Sequence, residues 1–206
     1  MKNLLFFMFV ILVSATTIAQ GELRFGVKGG LNISSFGGEG KRVFGGFEPA
    51  DVNEFRSRKS FHVGAILEGP INDRISLQGE ALYSSKGVKY FNDSLLKLDY
   101  IDLSLLGKYY FIKGFSAELG PVIGILVTAS ADGFGTAGFD VRSSYSSIDL
   151  GGSLGLTYRL KFGVFLTVRY TKGLNNNNNA EPFINQREDN LKNQNDIFQV
   201  SLGYSF

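Results

Sequence analysis

"NQNDIFQVSLGYSF" (Asn193–Phe206) sets a bulky apolar residue at every second position: Phe198, Val200, Leu202, Tyr204 and Phe206. Between them stand Gln199, Ser201, Gly203 and Ser205, all small or polar. Successive side chains of a β-strand point to opposite faces, so this segment reads as a strand with one apolar face and one small, polar face. Two environments suit such a strand. In a soluble sandwich the apolar face turns inward, and in a membrane barrel it turns out to lipid. The choice depends on whether the pattern recurs and where the charges fall.

The pattern recurs seven times upstream. Leu23, Phe25, Val27, Leu31 and Ile33 oppose Arg24, Lys28 and Asn32; Phe61, Val63, Ala65 and Leu67 oppose His62, Gly64 and Glu68. Ile75, Leu77, Ala81 and Tyr83 oppose Arg74, Gln78 and Glu80; Ile101, Leu103, Leu105 and Tyr109 oppose Asp102, Ser104 and Lys108. A fifth run sets Phe115, Ala117, Leu119, Ile123, Ile125 and Val127 against Ser116, Glu118, Gly120, Gly124 and Thr128. The sixth sets Ile148, Leu150, Leu154, Leu156 and Tyr158 against Asp149, Ser153, Thr157 and Arg159. The seventh sets Val164, Leu166, Val168 and Tyr170 against Phe165, Thr167, Arg169 and Thr171. Each run reaches the roughly 9 to 11 residues of a tilted membrane strand.

One face is almost free of charge along all eight runs. The other gathers Arg24, Lys28, Arg74, Lys108, Arg159 and Arg169 with Glu68, Glu80, Asp102, Glu118 and Asp149, together with His62, the single histidine. Near-balanced charge among glycines suits a crowded interior, where buried ions must pair. Aromatic residues near run ends (Phe25, Phe61, Tyr83, Phe115, Tyr158, Tyr170, Phe206) suit the girdles of a membrane interface. Short links, "INDR", "IKG" and "LK", alternate with long stretches at 35–59, 130–146 and 175–195, while "KGVKYFNDSLLK" (Lys86–Lys97) reads as an extended hairpin. The sequence therefore predicts an all-β fold, an eight-stranded antiparallel transmembrane β-barrel of outer-membrane type. Its short turns and both termini are expected on the periplasmic side. Eight strands leave an interior just wide enough for side chains, so a plugged, salt-bridged lumen is expected rather than a small-solute pore.

The chain opens with "MKNLLFFMFVILVSATTIAQ": a basic start at Lys2, an apolar run from Leu4 to Val13, then small residues to Ala19. The run is too short to span a bilayer, so residues 1–19 read as a cleaved signal peptide and 20–206 as the barrel domain. There is no cysteine, hence no disulfide and no lipoprotein attachment. Net charge is +2, which gives no electrostatic case for nucleic acid. Mean hydropathy of +0.03 fits strands that show alternate faces to lipid and lumen.

With these runs in view, the chain resembles the small "porin family" outer-membrane β-barrels abundant in Bacteroidetes, the group that includes PorT-like proteins. "GVKGGLNIS", "YIDLSLLGKYYF", "AELGPVIGILVTA", "RYTKGL" and "FQVSLGYSF" resemble the family's first, fourth, fifth, seventh and last strands. The usual fourth-strand phrase has Glu and Pro where this chain has Asp102 and Ser104. The resemblance implies integral outer-membrane localisation and contact with outer-membrane lipid. It also implies that the alternating residues Phe198, Val200, Leu202, Tyr204 and Phe206 serve as the signal read by the outer-membrane assembly machinery. The leading expectation is a non-enzymatic envelope protein that binds an extracellular ligand through its long loops, whereas PorT-like membership would imply an accessory of protein secretion with secretion-system partners.

No cofactor is expected. "GFGTAG" (Gly133–Gly138) matches the dinucleotide fingerprint by letter, but no helix pattern follows it, so a mobile loop is expected there. One histidine gives little scope for a metal site. Some small outer-membrane barrels are lipid-modifying enzymes built on a histidine beside a serine, and Ser60 stands two positions from His62 on the same face. No catalytic motif accompanies the pair, so a hydrogen-bonded lumen histidine is expected. Pro121 cannot donate to a ladder, which predicts a β-bulge or a missing ladder bond at Gly120–Pro121.

Overall fold

The computed structural model describes residues 23–37, 56–89, 95–133, 136–175 and 194–206. The proposed signal peptide lies outside them, as do most of the glycine-rich stretch after Phe36 and most of the asparagine run. Nine strands are described: β1 (Arg24–Gly37), β2 (Arg56–Pro70), β3 (Ile75–Lys89), β4 (Leu95–Ile112), β5 (Phe115–Gly133), β6 (Thr136–Asp140), β7 (Ile148–Arg159), β8 (Val164–Gly173) and β9 (Gln194–Ser205). Each pairs antiparallel with its chain neighbour, except that β5 pairs with both β6 and β7. Pairing of β1 with β9 closes the ring, so eight strands form a closed barrel and β6 stands outside it. Closure leaves no free edge in the wall, as hydrocarbon requires.

The alternation holds in the wall. Leu23, Phe25, Leu31, Phe61, Leu105, Leu119, Leu154, Leu202 and Phe206 are more than half exposed. Lys28, Glu68, Glu80, Lys108, Glu118 and Arg169 are buried in the lumen. In a soluble protein such exposure would mark an interaction surface; around the whole circumference of a closed barrel it is a lipid-facing belt. Among the described residues no helix is long and apolar enough to cross a membrane. The strands do the crossing.

β5 carries two irregularities. At Pro121 the ladder to β4 lacks the pairs of Leu105 and Leu106 with Pro121 and Gly120, yet the register is the same on either side, and pairing to β7 runs through unbroken. The expected fault is thus a gap in one ladder, with no bulge. The bulge lies further along, where Thr128 pairs with Asp99 but Leu126 with Tyr100, leaving Val127 extra. It reverses the alternation beyond it, so Thr128, expected inside, is exposed and Ala129 is buried. At this point β5 leaves β7 and turns to β6.

Beyond that point β3, β4 and β5 extend past the ring. Of the stretch expected as an extended hairpin, Lys86–Lys89 pair with Leu95–Leu98 as its two arms, and residues 90–94 lie outside the described residues. The described part of "GFGTAG" differs from expectation: Gly133 ends β5 and residues 136–138 lie in β6, with Gly133 paired to Thr136 and Ala131 to Phe139, while residues 134–135 lie outside the described residues. Val88, Leu96, Leu98, Tyr100, Leu126, Ala129, Val141 and Tyr145 pack together above the ring as an apolar lid at the long-loop end.

Candidate functional site: the barrel interior

Five cations and five carboxylates fill the described lumen: Lys28, Lys86, Lys108, Arg159 and Arg169 with Glu68, Glu80, Asp102, Glu118 and Asp149. They form successive tiers from the short turns to the lid.

The lowest tier centres on Glu68, two residues from the end of β2. Arg159 pairs with it, Tyr110 donates to Oε1 at 2.5 Å, and Lys108 lies 3.5 Å from Oε2. Arg24 was expected inside but sits at the rim; its side chain is 47% exposed and reaches Glu68 only at 3.9 Å. Arg74 is not in the lumen at all. It lies in the exposed turn before β3, where Asn72 Oδ1 accepts from the backbone N–H groups of Arg74 and Ile75 and ends the alternation.

The middle tier centres on Arg169. Its Nη1 and Nη2 donate to the two oxygens of Glu80 at 2.6 and 2.9 Å, and its Nε donates to Glu118 Oε1 at 2.7 Å. Lys28 adds a second cation to Glu80 at 2.9 Å, and Thr157 donates to Glu118 Oε2 at 3.1 Å. One planar fork thus bridges β3, β5 and β8 across the lumen. A glycine makes room for it: a Cβ on Gly155 would stand 2.8 Å from Glu118 Oε1.

Above lies a neutral tier around His62. Asn32 Nδ2 donates to Ser84 Oγ and to the carbonyls of Phe61 and Ser85, which fixes its Oδ1 toward His62 Nδ1 at 2.7 Å. His62 Nδ1 therefore carries the proton, and Nε2 accepts from Ser201 Oγ at 2.7 Å. Ser60, the expected neighbour, instead donates to the Ser85 carbonyl. Serine, histidine and asparagine in this order match the hydrogen-bond logic of a nucleophile and its base. All three are nonetheless buried in the packed wall. What they join is β1, β2 and β9, the closing seam.

In the uppermost tier Asp102 and Asp149 were expected from the sequence, whereas Lys86, their shared partner, was not. Lys86 Nζ lies 2.8 Å from Asp102, 3.4 Å from Asp149 and 4.5 Å from the centre of the Tyr100 ring, which is part of the lid. Extending the β3 alternation past Ser84 by one step would have found it. Apolar residues Ile66, Leu82, Leu106, Val122 and Phe165 fill the remaining lumen space. Among the described residues no group of side chains could hold a metal ion.

A closed ring with a lipid-facing exterior and an ion-paired interior defines a class, the small membrane β-barrels. Residues 18–179 match the family model described as outer membrane protein beta-barrel domain, and the chain belongs to that family. It is an integral protein of the outer membrane. No curated protein matches the chain by sequence. In fold it is similar to Neisserial surface protein A, with a TM-score of 0.55 and 17% identity over 88% of this chain and 97% of that one. It is also similar to Ail, the attachment invasion locus protein of Yersinia pestis, with a TM-score of 0.51 and 12% identity over 90% of this chain and all of that one.

Proposed function

We propose that this protein is a non-enzymatic component of the cell envelope whose barrel is a closed support and whose long loops are the working surface. The observation that carries this reading is the interior: charge pairs cross-link the lumen tier by tier, and the apolar lid meets the uppermost pair where Lys86 lies against Tyr100. A conduction path needs water and unpaired polar groups, whereas these ions satisfy one another. The Ser201–His62–Asn32 chain serves as a clasp on the β1–β9 seam, since each member is buried among its partners. The short turns and both chain ends face the periplasm, and the last strand acts as the assembly signal. Two fold relatives named for surface and attachment roles agree with an envelope role without defining a ligand.

The test joins two measurements. Purified barrel in planar bilayers is expected to give no stepwise conductance; steady ion-conducting steps would replace the closed support with a pore. In a deletion strain, altered binding at the cell surface is expected with lipid A mass and secreted proteins unchanged. Loss of secreted proteins would favour a PorT-like secretion accessory, and a changed lipid A mass would favour an enzyme.

A further inference from the structure

The outer face of the barrel is electrically uneven at its long-loop end. Up β2 the outward residues run Leu67, Ala65, Val63, Phe61 and then Lys59, which pairs with Ile33 of β1. Up β4 they run Leu105, Leu103 and Ile101, then Asp99, which is buried on this face opposite Ser85, and the part-exposed Lys97 opposite Gly87. The rings of Phe61 and Tyr83, 5.8 Å apart, cap the apolar belt in this sector. Lys59 is exposed and the Lys97 side chain is 42% exposed. A register shift in β2 between Ser57 and His62 lets Arg58 reach across to Ser85 Oγ at 3.0 Å and the Lys86 carbonyl at 2.6 Å. Gly87, at a φ of +128°, stands opposite Lys97, and a Cβ there would lie 2.0 Å from the Leu96 carbonyl oxygen, so only glycine fits.

Four described cations of this sector, Arg58, Lys59, Lys89 and Lys97, therefore stand against one described carboxylate. Asp99 Oδ2 takes Lys97 at 3.0 Å, while its Oδ1 has no hydrogen-bond partner among the described residues. The opposite wall is balanced. Lys172 of β8 is matched by Asp196 of β9 at 2.7 Å, and Thr128 and Ile148 on β5 and β7 carry no charge. Among the described strand residues the surplus falls on β2–β4, directly above residues that face acyl chains.

We propose that this sector binds the phosphate of an anionic outer-leaflet lipid, with Lys59, Lys97 and Arg58 as cations and the acyl chains laid along Phe61, Val63, Ile101 and Leu103. The proposal rests on the reading that the long loops face the cell exterior. Phosphate suits clustered ammonium and guanidinium donors, and an apolar strip directly below them suits only an amphiphile.

The purified protein, folded in nanodiscs of neutral phospholipid, would be titrated with bis-phosphorylated lipid A and with the same lipid after phosphatase treatment, bound lipid being read by native mass spectrometry. Selective retention of the phosphorylated form is expected, weakened about fivefold for each charge removed in Lys59→Gln and Lys97→Gln. Lys172→Gln is expected to bind as the parent does. Equal retention of both lipids, or the same loss in Lys172→Gln, would overturn the site. Heat-modifiable migration of every variant checks that each is folded. Orientation is read separately: Lys89→Cys in this cysteine-free chain should react with an impermeant maleimide on intact cells. Labelling only in broken cells would overturn the orientation, and with it the outer-leaflet occupant, whatever the titration gave.

Discussion

The interior of this barrel has two regions of opposite chemistry, one above the other. Inside the ring, Arg169, Glu80, Glu118 and Lys28 fill space with paired ions. In the lid, Val88, Leu96, Leu98 and Leu126 fill it with hydrocarbon. Both are buried to the same degree, so burial alone does not explain the difference. Surroundings do. The ring is wrapped in lipid, and an apolar interior would give it two equivalent faces and no rule for which turns outward. Paired charges fix that choice, because turning them to lipid costs far more than any side-chain repacking. Above the membrane the extended hairpin meets water, and an ordinary apolar core suffices.

The largest expected effect is in the charged tier. Arg169→Ala leaves Glu80 with only Lys28 and Gln78, and Glu118 with Thr157 and a Lys108 at 3.8 Å. We expect a loss of about 3 to 5 kcal/mol in denaturant unfolding from detergent, affecting the whole barrel in one transition. A loss below 1 kcal/mol would mean that the ions are not the element holding the ring.

Leu98→Ala is the matching change in the lid. Truncating a buried leucine costs about 2 to 5 kcal/mol where the surroundings cannot collapse. Here the loss should be local. Hydrogen exchange is expected to rise in Val88, Leu96, Leu126 and Val141 while Lys28, Arg169 and Ser201 keep their protection and the protein keeps its heat-modifiable migration. A single cooperative collapse would erase the distinction between the two regions.

The same contrast explains what could be read in the sequence. Lys28, Glu80 and Arg169 were legible because lipid on one side and ions on the other enforce a strict period of two. In the lid both faces are covered: Ser84 to Val88 are five consecutive buried residues, so "KGVKYFNDSLLK" shows no alternation to follow. Arg74 misled because a period continued by eye runs past the place where Asn72 has already bent the chain. Ser201 could not be paired with His62 from the sequence, since the two are 139 residues apart and only closure of β9 on β1 unites them.

His62→Leu is expected to have an intermediate effect. It removes the acceptor of Ser201 and one of two donors to Asn32 Oδ1, which keeps Gln199, and leaving the buried Ser201 hydroxyl unpaired costs about 1 to 3 kcal/mol. Because the clasp joins β1, β2 and β9, the added hydrogen exchange should concentrate along the β1–β9 ladder. The parent protein should also leave a fluorophosphonate probe unreacted. Labelling of Ser201, lost in His62→Leu, would turn the clasp into a catalytic pair.

The smallest effect concerns the two faults of β5, one in each region. The bulge at Val127 marks the exit from ring to lid and changes which residues point inward, so it is tied to function of place. The gap at Pro121 changes neither register nor alternation, because Ile123 and Leu119 face outward on either side of it. It should therefore be reparable. Pro121→Ala restores an N–H toward β4, and one neutral ladder bond is worth about 0.5 to 1.5 kcal/mol. Part of that gain is offset by the freer unfolded chain once proline is gone. The expected outcome is a change in stability of under about 1 kcal/mol, with a newly protected amide at position 121 and unaltered exchange in the lid. A large loss would mean that the proline sets the curvature of the wall, and that the gap, like the bulge, is part of how the ring is shaped to carry its lid.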